Sequence, residues 1–298
     1  MKAARLRAMI LAAGLGSRLF PLTLVRPKAL LPYFTYPLLE IVRRLLPGSI
    51  TGKILVNAFH HLPQMVEYVQ QNDGICLLRE DKLLGTGGGI ARAAAHLAPG
   101  EALLVHNVDV LHDFPLADLV ADWRRDPSWA LLLLYNDARF RQVRFVNGRI
   151  RRFGDGGNRS YTGVMILSPE ALVELRREPR FSIIDFLQRG IAAGREVRGL
   201  EMSTDFWMDA GRVTEYLEIH RRFLVDRDFR AGILPLLPGA PRLVGNSFVG
   251  RESGWRSGIT VSESVLWDRV WIENGPVRKS VIADGMVISS PAVEVIAF

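Results

Sequence analysis

The stretch Met9-Ile10-Leu11-Ala12-Ala13-Gly14-Leu15-Gly16-Ser17-Arg18-Leu19-Phe20-Pro21-Leu22-Thr23, continuing to Arg26-Pro27-Lys28-Ala29-Leu30-Leu31-Pro32, decides the fold. Residues 9–13 are apolar without alternation, the pattern of a strand buried on both faces. Glycines follow at once. Such a turn lets backbone N–H groups approach phosphate oxygens and form an anion-binding concavity. Arg18 and Lys28 add positive charge, and the arginine fork suits phosphate oxygens. The spacing is not that of a Walker loop, since no Gly-Lys-Ser/Thr follows, and the third glycine of a dinucleotide fingerprint is missing. Read blandly, the same residues make a strand-to-helix turn with surface basic groups.

Working outward, Leu38, Leu39, Ile41, Val42, Leu45 and Leu46 make the apolar face of a helix that Pro47-Gly48 ends. Strands at 53–57 and 74–78 alternate with a helix carrying Leu62, Met65, Val66 and Val69. Gly85-Thr86-Gly87-Gly88-Gly89 reads as a flexible loop leading into an alanine-rich helix from Ile90. A strand at 102–107 ends at Asp109, and a helix follows from Leu116. This rhythm predicts a mostly parallel sheet covered on both faces, with ligands beyond the carboxyl ends of its strands. Both glycine-rich turns and Asp109 fall at such ends.

From Ala130 the pattern turns to strands with tight turns at 130–135, 142–146, 149–153 and 161–167, then to helices and a strand at 197–200. A helix from Val213 to Leu224 closes a first domain at 1–226. Residues 227–257, rich in proline and glycine, read as a connection. In the tail, 258–298, Val265-Leu266-Trp267-Asp268 returns sixteen residues later as Val281-Ile282-Ala283-Asp284. Such a repeat is what stacked β-helical coils require. Read as inward positions of the coils, Val265, Trp271, Val281 and Val287 would be buried; read as a surface for homo-oligomer formation, Trp255, Trp267 and Trp271 would be exposed, and Trp271 cannot satisfy both.

Charge and cysteine usage bound the function. The surplus of 38 Lys and Arg over 31 Asp and Glu favours phosphate-bearing partners. No dense basic run with interleaved aromatics points to nucleic acid. The single cysteine, Cys76, allows no intrachain disulfide and fits a reducing, cytoplasmic setting and a buried strand position. No apolar run is long enough for a membrane span.

The stretch from Met9 to Pro32 resembles the signature of the sugar nucleotidyltransferase (nucleotide-sugar pyrophosphorylase) family, and similarity extends to about Leu224. The resemblance implies an α/β fold with a Rossmann-like, mostly parallel sheet of the nucleotide-diphospho-sugar transferase type and a short C-terminal left-handed β-helix. It implies that Ala12, Ala13, Gly14, Gly16, Ser17 and Arg18 surround a nucleoside triphosphate and that Lys28 steadies the reacting phosphates. Gly85, Thr86, Gly87 and Gly88 would hold base and ribose. This triple-glycine form is similar to members handling mannose 1-phosphate or N-acetylmuramate 1-phosphate, with guanylyl or uridylyl donors. Asn107-Val108-Asp109 stands where the family has Asn-Gly-Asp, and Trp207-Met208-Asp209-Ala210-Gly211 resembles its Trp-x-Asp-x-Gly. Asp109 and Asp209 would then ligate Mg²⁺, a hard cation that seeks oxygen donors. Asn107 and Tyr161-Thr162-Gly163 would lie along the sugar.

One departure stands out: the Glu-Lys pair that meets the sugar phosphate in many members is absent. Arg149, Arg151 and Arg152 follow Gly148 instead, any one of which could take the lysine's place; alternation puts Arg149 and Arg151 on one face and Arg152 on that of Ile150, where it would point inward. The expected activity is transfer of a nucleoside monophosphate to a sugar 1-phosphate with release of pyrophosphate. Two rivals are a non-catalytic nucleotide-sugar-sensing or regulatory subunit, and an acyltransferase tail. The intact Arg18, Lys28, Asp109 and Asp209 oppose the first. The lack of any histidine after His220 opposes the second.

Overall fold

The computed structural model describes residues 4–176, 181–204 and 206–298. The chain divides into two compact units, one of residues 1–14 and 45–207, the other of residues 15–44 and 208–298.

The first unit is built on a nine-stranded sheet. In chain order its strands are β1 (Leu6–Leu11), β2 (Ile54–Ala58), β3 (Ile75–Arg79), β4 (Ala102–Asn107), β5 (Ala130–Tyr135), β6 (Val143–Val146), β7 (Arg149–Phe153), β8 (Ser160–Leu167) and β9 (Val197–Glu201). Their spatial order is β3-β2-β1-β4-β8-β5-β9-β7-β6. Strands β3, β2, β1 and β4 run parallel, β8 runs against both β4 and β5, and β7 runs against β9 and β6. The sheet is therefore mostly parallel, as the alternation of elements predicts.

Both faces are covered because both sets of alternating side chains are apolar. Leu103 and Val105 of β4, Leu132 and Leu134 of β5, and Met165 and Leu167 of β8 pack in one cluster with Ile90, Ala93, Leu172, Phe186 and Leu187. Their neighbours Ala102, Leu104, Leu131, Leu133, Val164 and Ile166 face the other way, against Leu116, Leu119, Val120 and Trp123. After α1 (Leu38–Leu45) and α2 (Leu62–Gln71) in chain order, α3 (Gly85–Ala94), α5 (Pro169–Leu175) and α6 (Ile183–Ala192) roof the first cluster, and α4 (Leu116–Arg125) the second. Cys76 on β3 is half-buried rather than enclosed.

Two local readings are corrected. The glycine run is no flexible loop, since α3 already begins at Gly85. Tight packing replaces propensity there: a β-carbon on Gly87 would lie 2.3 Å from the Phe181 ring, and one on Gly89 2.7 Å from Asn57 Nδ2. On β7 the register shifts between Ile150 and Arg152, so alternation breaks and Arg152 is exposed instead of sharing the buried side of Ile150.

The second unit joins the segment 15–44 to α7 (Val213–Val225), α8 (Arg227–Ile233) and a β-helix. One face of the helix stacks β10 (Ser247–Val249), β13 (Val265–Leu266), β16 (Val281–Ile282) and β19 (Ile296–Ala297). A second stacks β11 (Gly254–Trp255), β14 (Trp271–Ile272) and β17 (Val287–Ile288). The third stacks β12 (Val261–Ser262), β15 (Val277–Arg278) and β18 (Ala292–Val293). All these ladders are parallel, with Val265 opposite Val281 and Trp271 opposite Val287. Parallel stacking begins at Ser247, ahead of residue 258, and α8 lies within the stretch read as a connection.

Burial inside the coils differs from expectation on one face. Val265 and Val281 are buried, but Trp271 and Val287 are 44% and 55% exposed. In a two-residue strand only one side chain points inward, and on that face it is Ile272 and Ile288. Trp267, expected outside, is buried. Corners are closed by a serine ladder: Ser264 N donates to Ser247 Oγ and Ser280 N to Ser264 Oγ, each at 3.2 Å.

Candidate active site

In the first unit the strand ends bring together residues distant in sequence. Leu11 of β1 lies opposite Asn107 of β4, and Val108 N donates to Leu11 O at 3.1 Å, so Ala12-Ala13-Gly14 and Asn107-Val108-Asp109 leave the sheet side by side. Ala12 and Ala13 are buried, Gly14 is exposed, and Asn107 and Asp109 are half-buried. The neighbouring β8 delivers Tyr161-Thr162-Gly163 to the same edge, because it runs antiparallel. Its pairing with β5 is irregular between Tyr161 and Met165, and Thr162 Oγ1 donates to Leu133 O at 2.9 Å. Gly163 has φ +90°, and a β-carbon there would sit 2.7 Å from Asn107 Nδ2. Only glycine allows that approach.

Two residues that the motifs did not single out tie this edge together. Asn57, at the end of β2, accepts from Ala12 N through Oδ1 at 2.8 Å and donates through Nδ2 to Glu80 Oε1 at 2.7 Å. Glu80 Oε2 accepts from Leu84 N at 3.2 Å, at the start of α3. Both side chains are buried. A polar residue closing an apolar strand, as in Ile54-Leu55-Val56-Asn57, was the available signal. Gly85 and Thr86 are exposed and Gly87 and Gly88 buried, with Thr86 Oγ1 accepting from Ile183 N at 3.0 Å.

Behind the Asn107 turn, His106 and His112 are buried with their Nε2 atoms 3.2 Å apart, while His106 Nδ1 lies 2.7 Å from Asn107 O. Burial holds both imidazoles neutral, pushed down to about 4 for His106 and about 3 for His112. One ring must donate and the other accept, so the pair carries no charge behind the turn.

In the second unit the turn 16–28 folds on itself. Gly16 adopts φ +63°, a β-carbon there would meet Thr23 Cγ2 at 2.8 Å, and Thr23 Oγ1 donates to Gly16 O at 3.0 Å. Ser17 and Arg18 are exposed, whereas Lys28 is buried on a single 3₁₀ turn, Lys28–Leu30. Arg18 Nη1 lies 3.8 Å from Asp209 Oδ2. Gly211 leaves room for that pair: a β-carbon there would be 2.4 Å from Asp209 Oδ1 and 3.0 Å from Arg18 Nη2. The two motifs thus meet within this unit.

Arg152 is not brought to the others. Strands β5 and β9 separate β7 from β8, and the nearby Arg149 is paired with Glu196 at 2.7 Å.

The sequence profile of the nucleotidyl transferase family matches residues 7–225, which spans both glycine-rich turns and Asp109 and Asp209. The chain belongs to the nucleotidyl transferase family. Similar curated proteins include the mannose-1-phosphate guanylyltransferase catalytic subunit beta of Dictyostelium discoideum, 28% identical over 71% of this chain and 63% of that protein. Another is the probable mannose-1-phosphate guanylyltransferase 2 of Arabidopsis thaliana, 26% identical over 92% of this chain and 80% of that one. Among solved structures, the inositol-1-phosphate CTP transferase from T. maritima shares the family's fold with a TM-score of 0.64 at 18% identity, covering 80% of this chain and 99% of that one. A putative glucose-1-phosphate thymidylyltransferase from Bacillus anthracis gives 0.58 at 21% identity, covering 72% and 92%. No described helix is long and apolar enough to cross a membrane.

Proposed function

We propose that this family member transfers a nucleoside monophosphate from a nucleoside triphosphate to a sugar 1-phosphate, with GTP and mannose 1-phosphate as its pair. The observation that carries the reading is the meeting of Arg18, from the glycine-rich turn, with Asp209 of the Trp-x-Asp-x-Gly motif. The names of the curated relatives favour guanylyl transfer to mannose 1-phosphate. The triple-glycine form of α3 keeps UTP with an N-acetylated sugar 1-phosphate as the alternative.

An oxygen of the sugar 1-phosphate attacks the α-phosphorus in line, a new P–O bond forms, and the bond to the pyrophosphate leaving group breaks. Arg18 and Lys28 offset the charge on the transferring and leaving phosphates, and backbone N–H groups after β1 orient them. Asn107 and Tyr161-Thr162-Gly163 hold the sugar in position, which lowers the entropic part of the barrier. Asp109 and Asp209 are the oxygen donors that would hold Mg²⁺. The glycine at 211, which keeps side-chain bulk away from the Asp209 carboxylate, fits that role. When bound, the cation polarises phosphate oxygens as a Lewis acid.

The test is a matrix of nucleoside triphosphates against sugar 1-phosphates, read by pyrophosphate release with and without Mg²⁺. Turnover of GTP with mannose 1-phosphate well above all other pairs is expected. Preference for UTP with an N-acetylated sugar 1-phosphate would install the alternative, and no release with any pair would leave the regulatory reading.

A further inference from the structure

Arg26 stands two positions before Lys28 and has no part in the chemistry above, yet it is among the most tightly engaged side chains of the second unit. Its Nε lies 2.5 Å from Asp284 Oδ2 and its Nη2 3.6 Å from Asp268 Oδ2. Its guanidinium sits 5.5 Å from the ring centroid of Trp267. All three partners belong to the β-helix. Asp268 and Asp284 occupy equivalent places on successive coils, joined by a 3.0 Å bond from Asp268 N to Asp284 Oδ1. Arg251 flanks Asp268 on its other side, at 3.0 Å. Two stacked carboxylates are thus balanced by two guanidiniums, one of them supplied by the phosphate-binding segment.

A second tether follows Lys28. Trp267 Nε1 donates to Tyr216 Oη at 3.0 Å, and Tyr216 Oη donates to Pro32 O at 2.5 Å. Tyr33 Oη donates to Ala210 O at 2.9 Å, next to Asp209. The span from Arg26 to Pro32, with Lys28 on its short 3₁₀ turn, is therefore pinned at both ends, and Trp267 takes part in both tethers.

We propose that the β-helix holds the phosphate-binding segment in place through Arg26, which makes Arg26 a positioning residue for Lys28. Lys28's role rests on the function proposed above. Partly buried ion pairs add little net stability because desolvation offsets attraction, but they fix geometry. Arginine serves here because its fork reaches two carboxylates while its flat face lies on an indole. The repeat Trp267-Asp268 and Ala283-Asp284 then has a use besides stacking: it presents paired carboxylates to one arginine.

The experiment compares Arg26→Ala, Arg26→Lys, Asp284→Asn and the exchanged pair Arg26→Asp with Asp284→Arg in the full chain. Hydrogen exchange of peptides covering residues 22–32 is read against β1 as an internal reference. Steady-state constants are taken with whichever substrate pair the unaltered chain turns over. Faster exchange confined to 22–32 is expected in Arg26→Ala and Asp284→Asn, with partial protection in Arg26→Lys and recovery in the exchanged pair. Misplacing a phosphate-binding group should lower kcat about tenfold to a hundredfold, with the KM for the sugar 1-phosphate unchanged. Unchanged exchange in both single variants would overturn the tether. Faster exchange with unchanged kcat would overturn the positioning role. If the unaltered chain turns over no pair, the reading of the site falls, and exchange alone still decides whether Arg26 holds the segment.

Discussion

At the scale of single residues the decisive groups are the two carboxylates. If the two hold the cation as proposed, replacing Asp109 or Asp209 by alanine is expected to remove most turnover, since loss of a metal ligand costs several kcal/mol of transition-state stabilisation. Stability should barely move. The Arg18 and Asp209 side chains are 51% and 27% exposed, and a solvent-screened pair is worth about 0–1 kcal/mol. Kinetics across a magnesium series, beside melting curves, check both halves; near-normal rates in either variant would exclude a shared two-carboxylate role. Arg152→Ala is expected to leave the KM for the sugar 1-phosphate within about twofold, a change of less than about 0.5 kcal/mol. Its exposure on β7, with two strands between it and β8, predicts this, and a tenfold rise would restore it to the acceptor site. The candidate residues could be picked out in the sequence because each sits in a short motif. The Arg18–Asp209 meeting was not, because long-range pairing leaves no local trace. Asn57 and Glu80 escaped because each is a lone polar residue at a strand end, and the bond between them joins two different strand ends.

At the scale of elements, α3 shows where propensity misleads. Five residues rich in glycine read as a loop, yet they form the first turns of a helix because neighbours come too close for side chains. Gly87→Ala forces a methyl group against the Phe181 ring, an overpacking that costs about 1–3 kcal/mol. A melting temperature lowered by several degrees is expected, together with a raised KM for the triphosphate. Gly48→Ala, with open space around it, should be neutral. An unchanged Gly87→Ala protein would show that α3 shifts freely. The helix α7 carries a different signal. His220 accepts from Phe34 N at 3.1 Å through Nε2, and burial pushes its imidazole down to about 4. With His106 and His112 it stays neutral in the fold while the unfolded chain takes up protons near 6.5. Unfolding then consumes protons, so stability is full above about pH 6.5 and falls as pH drops, the His106 and His220 contributions levelling off below about 4 and that of His112 below about 3. The slope is up to about 1.4 kcal/mol per pH unit for each histidine. Melting curves from pH 8 to pH 4 test this, and His220→Gln should flatten the slope. A flat profile in the unaltered chain would mean that these rings are hydrated.

At the scale of the whole molecule, the sequence showed the alternation behind the mostly parallel sheet and the sixteen-residue return behind the β-helix. Both periods come from local geometry repeated many times. The division of the chain was not visible in that way, because residues 15–44 join the C-terminal unit through contacts that no periodicity records. Phe34 packs against His220, Phe223, Phe229 and Phe248, with ring centroids 4.7 to 6.5 Å apart. Phe248 and the buried Trp267 come from the β-helix, and Trp267 binds Tyr216. Truncation after Leu224 therefore removes Phe229, Phe248 and Trp267 from an aromatic core that also holds the segment 15–44. Losing one large aromatic from a core costs about 3–5 kcal/mol, and a typical fold is stable by only 5–15 kcal/mol. The shortened chain is expected to aggregate or to melt at least about ten degrees lower, with no turnover even where it stays soluble. A milder change on the exposed face, Trp271→Ser with Val287→Ser, should leave the melting temperature unchanged, because both side chains already face outward. If that variant has a lower light-scattering mass, the column is a self-association surface. Unchanged stability and assembly in the truncated chain would show instead that the β-helix is an independent appendage.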